Sequence, residues 1–305
     1  MADLLHIENL GHIENLEQFL AASFFVLLAL AAFLESLIPL RKNALPLRRR
    51  WLGNFSLMLL NTAIFRGLLP MSAFVFALYV QEHHWGLFSA FPLSPWLSIL
   101  ITVLLHDFVK YAQHVLFHHV RACWRFHLVH HTDQDYDFTT GLRFHPLEAL
   151  VTTASTFLVI LVLGPPALAV IVFEFLTMFI NFLSHTNIRL NDRLERILRF
   201  VIVTPNMHRI HHSAWEPETN SNYAVIFSFW DKIFGTYTAQ AREDQKDMMV
   251  GLYEYRDLQD QNFFRMLLQP FLKLKPRLEL KPQFGDATKK ATRPSSLPDT
   301  TPDLP

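Results

Sequence analysis

The sequence predicts an all-α, polytopic helical membrane protein with a cytosolic histidine-rich cap over a two-metal site. Three observations predict it. Of 305 residues, 51% are hydrophobic and 18% charged, against roughly 25% charged in an ordinary soluble domain. The apolar residues gather in runs long enough to cross a hydrocarbon core of about 30 Å. Sixteen residues are His beside a single Cys, Cys123, and twelve of those His lie between 106 and 212. This composition excludes chain-wide disorder, a disulfide-stapled secreted domain and a Cys-based zinc or iron–sulfur module. Lys+Arg and Asp+Glu balance at 27 each, so there is no strongly basic surface for a nucleic acid.

The elements follow in chain order. No positively charged start precedes the first apolar run, so no cleavable signal peptide is expected. Residues 19–40 form the first span, with Glu35 near its end at the membrane interface. Arg41, Lys42, Arg48, Arg49 and Arg50 follow with no acid among them, the mark of a cytoplasmic flank. Residues 52–79 make the second span, broken by Asn54, Asn61 and Arg66, with Pro70 bending or ending it. Residues 96–117 make the third, whose last two turns become polar and His-rich. Residues 147–163 and 167–183 read as a membrane hairpin around Gly164-Pro165-Pro166, with Glu174 as a contact inside the bundle. Five spans, four at the fewest, put the amino terminus outside and every dense His cluster, with the carboxy terminus, in the cytoplasm. Residues 1–94 thus carry two spans and 95–240 three more with the His clusters. Residues 241–305 form a cytosolic tail: a short amphipathic helix at 262–269, lying on the bilayer or on the protein, then disorder from 276 onward.

The histidines form a pattern. His114 and His118 lie at i and i+4, on one face of an emerging helix. His127, His130 and His131 form an H-x2-H-H group, and His208, His211 and His212 repeat it. Adjacent members of such a group diverge by about 100° on a helix, so one triplet can serve two metals. His185 follows the fifth span. Imidazole suits Fe, Zn, Cu and Ni, and nine imidazoles exceed the four ligands of an ordinary zinc site. Two metals with four or five ligands each use the supply. His6, His12, His83 and His84 read as bystanders, and His119 competes with His118 for one place. Asp107, nearly two turns before His114, either orients a ligand imidazole through its far nitrogen or caps backbone or pairs with Lys110. Glu148 is a second candidate for the orienting role. Arg143 pairs with Glu148 or meets a lipid headgroup. His145 reads as a helix-start residue. Tyr111 and Trp124 line the lipid path or anchor the membrane face.

These residues together resemble the fatty acid hydroxylase / sterol desaturase superfamily of membrane oxygenases. The resemblance rests on His114-Val115-Leu116-Phe117-His118, His127-Leu128-Val129-His130-His131, and the run from Thr204 to Ser213. Arg143-Phe144-His145-Pro146 and the segments Asn222-Tyr223 and Trp230-Asp231-Lys232-Ile233-Phe234-Gly235-Thr236-Tyr237 support it. It covers roughly residues 95–240. It implies two iron ions, O2, a membrane lipid as substrate, and a separate electron donor, a reductase or a cytochrome or ferredoxin. It further implies hydroxylation or desaturation, with His114, His118, His127, His130, His131, His185, His208, His211 and His212 as ligands. Arg189 stands where fatty acid 2-hydroxylases of the family place a further His, which leaves one metal with water or Asn187 there. Two other functions fit an imidazole-rich membrane protein: non-enzymatic metal binding or transport, and zinc-dependent lipid hydrolysis or isomerisation. A transporter is expected to place polar ligands near the midplane, whereas these lie beyond the helix ends.

Overall fold

A long helix, α1 (Leu10–Leu37), opens the chain in a computed structural model that describes residues 10–69 and 71–273. His6, the His12 side chain, Pro70 and the tail from 276 lie outside the described residues. The remaining helices are α2 (Leu47–Leu68), α3 (Ala73–Glu82), α4 (Leu87–Ala90), α5 (Pro95–His119), α6 (Arg121–His131), α7 (Pro146–Leu163) and α8 (Ala167–His185). Shorter pieces follow: α9 (Asp192–Leu198), α10 (Pro205–His211), α11 (Glu216–Thr219), α12 (Phe229–Ile233) and α13 (Phe263–Leu268). Among the described residues β structure is confined to isolated bridges such as Pro39 with Ile188.

Five stretches are long and apolar enough to cross a membrane: Asn15–Leu37, Leu47–Ala90, Pro95–His119, Pro146–Leu163 and Ala167–His185. Their outer faces carry large apolar side chains, with Phe25 66%, Phe33 58% and Trp96 82% exposed. Such a surface is costly in water and ordinary in hydrocarbon. The second stretch is broken. α2 stops at Leu68, Leu69 is extended, and Ser72 caps α3 by accepting from the Val75 amide. The residue before a proline is pushed out of the helical region, so Pro70 explains the stop.

Helix α8 is the hub, packing on α1, α3, α5 and α10. Helices α3 and α5 each touch both α7 and α8, so the two arms of the Gly-Pro-Pro hairpin are propped apart rather than zipped together. The bend itself is tight. Gly164 caps α7 at φ +59°, and a Cβ there would lie 2.1 Å from the Trp85 carbonyl. Helices α1, α5 and α8 finish, and α2 and α7 begin, at one common end of the bundle, where the His-rich segments collect.

That end is closed by the 132–145 loop, α9–α12 and residues 241–273. Arg50, read from sequence as part of a basic membrane flank, is instead fully buried. Its guanidinium donates to Asp133 at 2.7 and 2.9 Å and to Asp137 at 2.7 Å. The neighbouring Asp135 accepts from the Ala44 and Leu45 amides, so the loop before α2 and the first turn of α2 are tied to the cap by three acids. Glu35, expected at the interface, accepts from the amides of Phe138 and Asn187. Residues 241–273 pack as part of the cap. Met266 of α13 is fully buried in a cluster with Leu57 and Leu128, and Gln261 Oε1 accepts from Arg143 at 2.6 Å. The amphipathic helix therefore lies on protein.

Candidate metal centre

Four elements supply nine imidazoles. The carboxy-terminal turns of α5 carry His114 and His118, and α6 carries His127, His130 and His131. His185 is the last residue of α8. α10, started by Pro205 and the Thr204 cap, carries His208 and His211, with His212 just beyond. Met207 and Ile210, both fully buried, seat that short helix, each burial stabilising by about 1.5–3 kcal/mol.

The nine fall into two sets. His114, His118, His127, His131 and His211 form one, and His130, His185, His208 and His212 the other; within each set the facing nitrogens all lie within 4.8 Å of one another. Each H-x2-H-H triplet divides between the sets, because its adjacent members point about 100° apart. His119 joins neither set. It is exposed, and its Nε2 lies 3.3 Å from the Tyr223 hydroxyl.

The outward nitrogens fix what the inward ones present. His114 Nδ1–H donates to the Tyr223 carbonyl at 2.7 Å, His211 Nδ1–H to the Ser221 carbonyl at 2.7 Å, and His185 Nδ1–H to the Asn181 carbonyl at 2.8 Å. His127 Nδ1–H donates to Glu148 at 2.6 Å. With the proton held outside, each Nε2 turns a bare lone pair inward. His114 Nε2 then faces His127 Nε2 at 3.1 Å, and His185 Nε2 lies 3.0 Å from His208 Nε2. Lone pair against lone pair at that distance is repulsive unless a cation sits between them. His118 Nε2, His211 Nε2 and both nitrogens of His212 are buried without a partner, as unbound metal ligands would be. The donor set therefore fits metal ions, one per set.

Burial, followed by mutual repulsion among the imidazoles, holds His130, His131, His208 and His212 well below the usual 6.5. Burial, with repulsion from His127, lowers His211 to about 3. Neutral imidazole is the form that binds metal.

Several expectations need correction. Asp107 touches no imidazole: it accepts from the Ile226 and Phe227 amides at 2.9 and 3.0 Å and from the Trp230 indole at 2.9 Å. It pins backbone and does not pair with Lys110. Arg143 meets neither Glu148 nor a headgroup; fully buried, it donates to the Val129 carbonyl, Thr132 and Gln261. Asn187 is no ligand, since its amide side chain is bonded both ways to the Arg41 backbone. The second set thus holds four imidazoles, with Arg189 exposed. Tyr111 and Trp124 are off the cavity wall. Tyr111 stacks on Phe234, and Trp124 lies 4.9 Å from the His118 ring and 5.4 Å from His131. His145 caps α7, accepting from the Leu147 amide.

The sequence reading assigned no role to the turn at 220–223. Asn222 adopts φ +53°, a conformation Asn tolerates, and this directs the Ser221 and Tyr223 carbonyls at His211 and His114. Asp231 accepts from the Tyr223 and Ala224 amides at 2.8 and 3.0 Å. Asp107 and Asp231 together hold this carbonyl-bearing segment in place. Its sequence signal was Asn222-Tyr223 and Trp230-Asp231, singled out without a function.

A cavity of about 1100 Å³ reaches the centre from inside the bundle. His114, His127, His130, His185 and His208, drawn from both sets, line one end. Phe24, Met58, Phe65, Phe117, Phe144, Phe157 and Phe182 supply much of the apolar wall.

Residues 99–236 match the fatty acid hydroxylase family model. The chain is 29% identical over 196 residues to an ornithine lipid hydroxylase, OlsE, of Rhizobium tropici, covering 64% of this chain and 55% of that protein. It is 33% identical over 146 residues to the alkylglycerol monooxygenase of Homo sapiens, covering 48% of this chain and 31% of that one. With a cholesterol 25-hydroxylase-like protein of Danio rerio it shares 29% identity over 175 residues, 53% of this chain and 66% of the other. The chain thus spans about half the length of the first of these relatives and a third of the second. No solved structure matches.

Proposed function

The chain belongs to the fatty acid hydroxylase / sterol desaturase superfamily, and from that premise we propose that it hydroxylates a membrane lipid, using O2 and two iron ions held by the nine imidazoles. At the level of the family this is His-ligated, metal-dependent oxidative modification of lipids. One observation carries the finer reading: both imidazole sets open onto the same largely apolar cavity. Iron held by these two sets would supply the oxidising power needed against an unactivated C–H bond.

The chain's own residues do the rest. Glu148 and the Tyr223, Ser221 and Asn181 carbonyls keep protons on the outer nitrogens, so that neutral lone pairs face the metals. The aromatic wall holds a hydrocarbon in one place beside them and keeps bulk water out. The names of the relatives, hydroxylase and monooxygenase, favour oxygen insertion over desaturation. The basic 41–50 segment, at the histidine end, favours a cytoplasmic centre, supplied with electrons by a separate reductase, cytochrome or ferredoxin.

The test compares lipids from cells with and without the protein under isotopically labelled O2, alongside metal analysis of the purified protein. The expected result is one labelled oxygen in a specific lipid and about two iron atoms per chain. Variable, loosely held metal with no O2 consumption would make it a metal-handling protein. Product formation without O2 would make it a zinc-dependent hydrolase or isomerase.

A further inference from the structure

Helix α8 carries Glu174, Met178, Asn181 and His185 at i, i+4, i+7 and i+11, one stripe of a helix, and all four line the cavity. Glu174 lies about 16 Å along the axis from His185, at 1.5 Å per residue. It makes no hydrogen bond or ion pair among the described residues, and the charge that acts on it is another carboxyl on the wall, Glu17. A carboxyl inside an apolar bundle is expensive and marks a partner. One more polar atom on this stretch of the wall lacks one: Thr177 Oγ1, a turn from Glu174, is buried without a hydrogen bond.

Both free groups, the Glu174 carboxylate and the Thr177 hydroxyl oxygen, can accept a hydrogen bond, and the hydroxyl can also donate one. The enclosed cation is not free. Lys110 gives its ammonium hydrogens to the Thr152 carbonyl and the Ser155 and Thr156 hydroxyls, at 2.7, 3.2 and 2.8 Å. Arg66 also lines the cavity but is exposed at its rim. We propose that Glu174 and Thr177 form a polar-head subsite, and that the lipid taken up carries a hydrogen-bond-donating head, hydroxyl or protonated amine, buried within the bundle. This rests on the lipid-oxidising reading above for its purpose but not for its test. A bare hydrocarbon would leave both polar groups unpaired, and an anionic head would meet a carboxyl.

The test is binding to iron-loaded protein in phosphatidylcholine nanodiscs, with radiolabelled hexadecanol, hexadecylamine, hexadecane and hexadecanoate. The expected result is binding of the alcohol or the amine about tenfold tighter than the alkane, the scale of a hydrogen bond to a charged group, with the carboxylate weakest. A preference for the alcohol or for the amine tells which donor the subsite takes. Glu174→Leu should erase that preference at unchanged iron content, and Thr177→Val should reduce it. Equal binding of alkane and alcohol by the native protein, or a preference that survives Glu174→Leu, overturns the proposal. A Glu174-dependent preference in a protein that oxidises no lipid supports the subsite and sinks the oxidative reading.

Discussion

Glu148 illustrates how one side chain can set the state of a centre it need not coordinate. Its carboxylate accepts a hydrogen bond from His127 Nδ1–H at 2.6 Å inside a dry site. Glu148→Gln keeps the shape and loses the charge, and is expected to weaken metal binding about 10–100-fold, measured by competition with a chelator. His130→Ala and His211→Ala each remove a lone pair from one set, and both should lose bound metal and activity together. His83→Ala should change neither, since His83 is exposed and bonds only its own helix at Tyr79. Glu148 was legible as a candidate because a carboxyl near a His box has few other uses. Whether Asp107 faces an imidazole or backbone was not legible, because spacing tells which helix face a residue occupies, not what the fold lays across it. What lies across it is the 226–227 backbone, from a segment more than a hundred residues away.

At the scale of elements, the 132–142 segment links the α2 ion pairs to the second imidazole set. Gly141 sits so close to α8 that a Cβ would lie 2.8 Å from Asn181 Nδ2 and 3.1 Å from His185 Nδ1. Gly141→Ala should therefore displace the His185 ring and weaken metal binding more than it lowers the melting temperature. Arg50 acts at the other end of the segment. Removing it as Arg50→Met strands Asp133 and Asp137 in the dry interior and should cost about 3–5 kcal/mol, read as a lower midpoint in thermal unfolding. Burial alone would raise the Asp133 carboxyl, but Arg50 and Arg143 outweigh it and bring it down to about 2. A depressed carboxyl stabilises the fold above its unfolded value of 3.8. That contribution is lost as pH falls through 2, so the native protein should keep this tie well below neutral pH.

Across the whole molecule, the metal-free centre is a reservoir of repulsion. His130, His131, His208, His211 and His212 refuse protons in the fold, whereas the unfolded chain accepts them near 6.5. The unfolded state then binds more protons, so stability of the metal-free protein should fall as pH drops below about 6.5. Metal removal by a chelator should lower the melting temperature, and a scan from pH 8 to 5 should steepen the loss. A melting temperature indifferent to both would show that the imidazoles hold no metal.

The sequence by itself determined the helical class and the apolar runs long enough to span a membrane, and its His groups offered the nine candidate imidazoles that the fold gathers. Those features live in local periodicity, where each residue's own chemistry decides the outcome. Only the tertiary structure decided how the nine divide, five and four, because that depends on where the ends of α5 and α8 meet α6 and α10. It also decided that Arg50 pairs inward instead of flanking a membrane, that residues 241–273 close the cap, and that Asp107 and Asp231 brace the turn whose carbonyls hold two imidazoles. These are contacts between residues tens to more than a hundred positions apart, and no local pattern encodes a partner at that range.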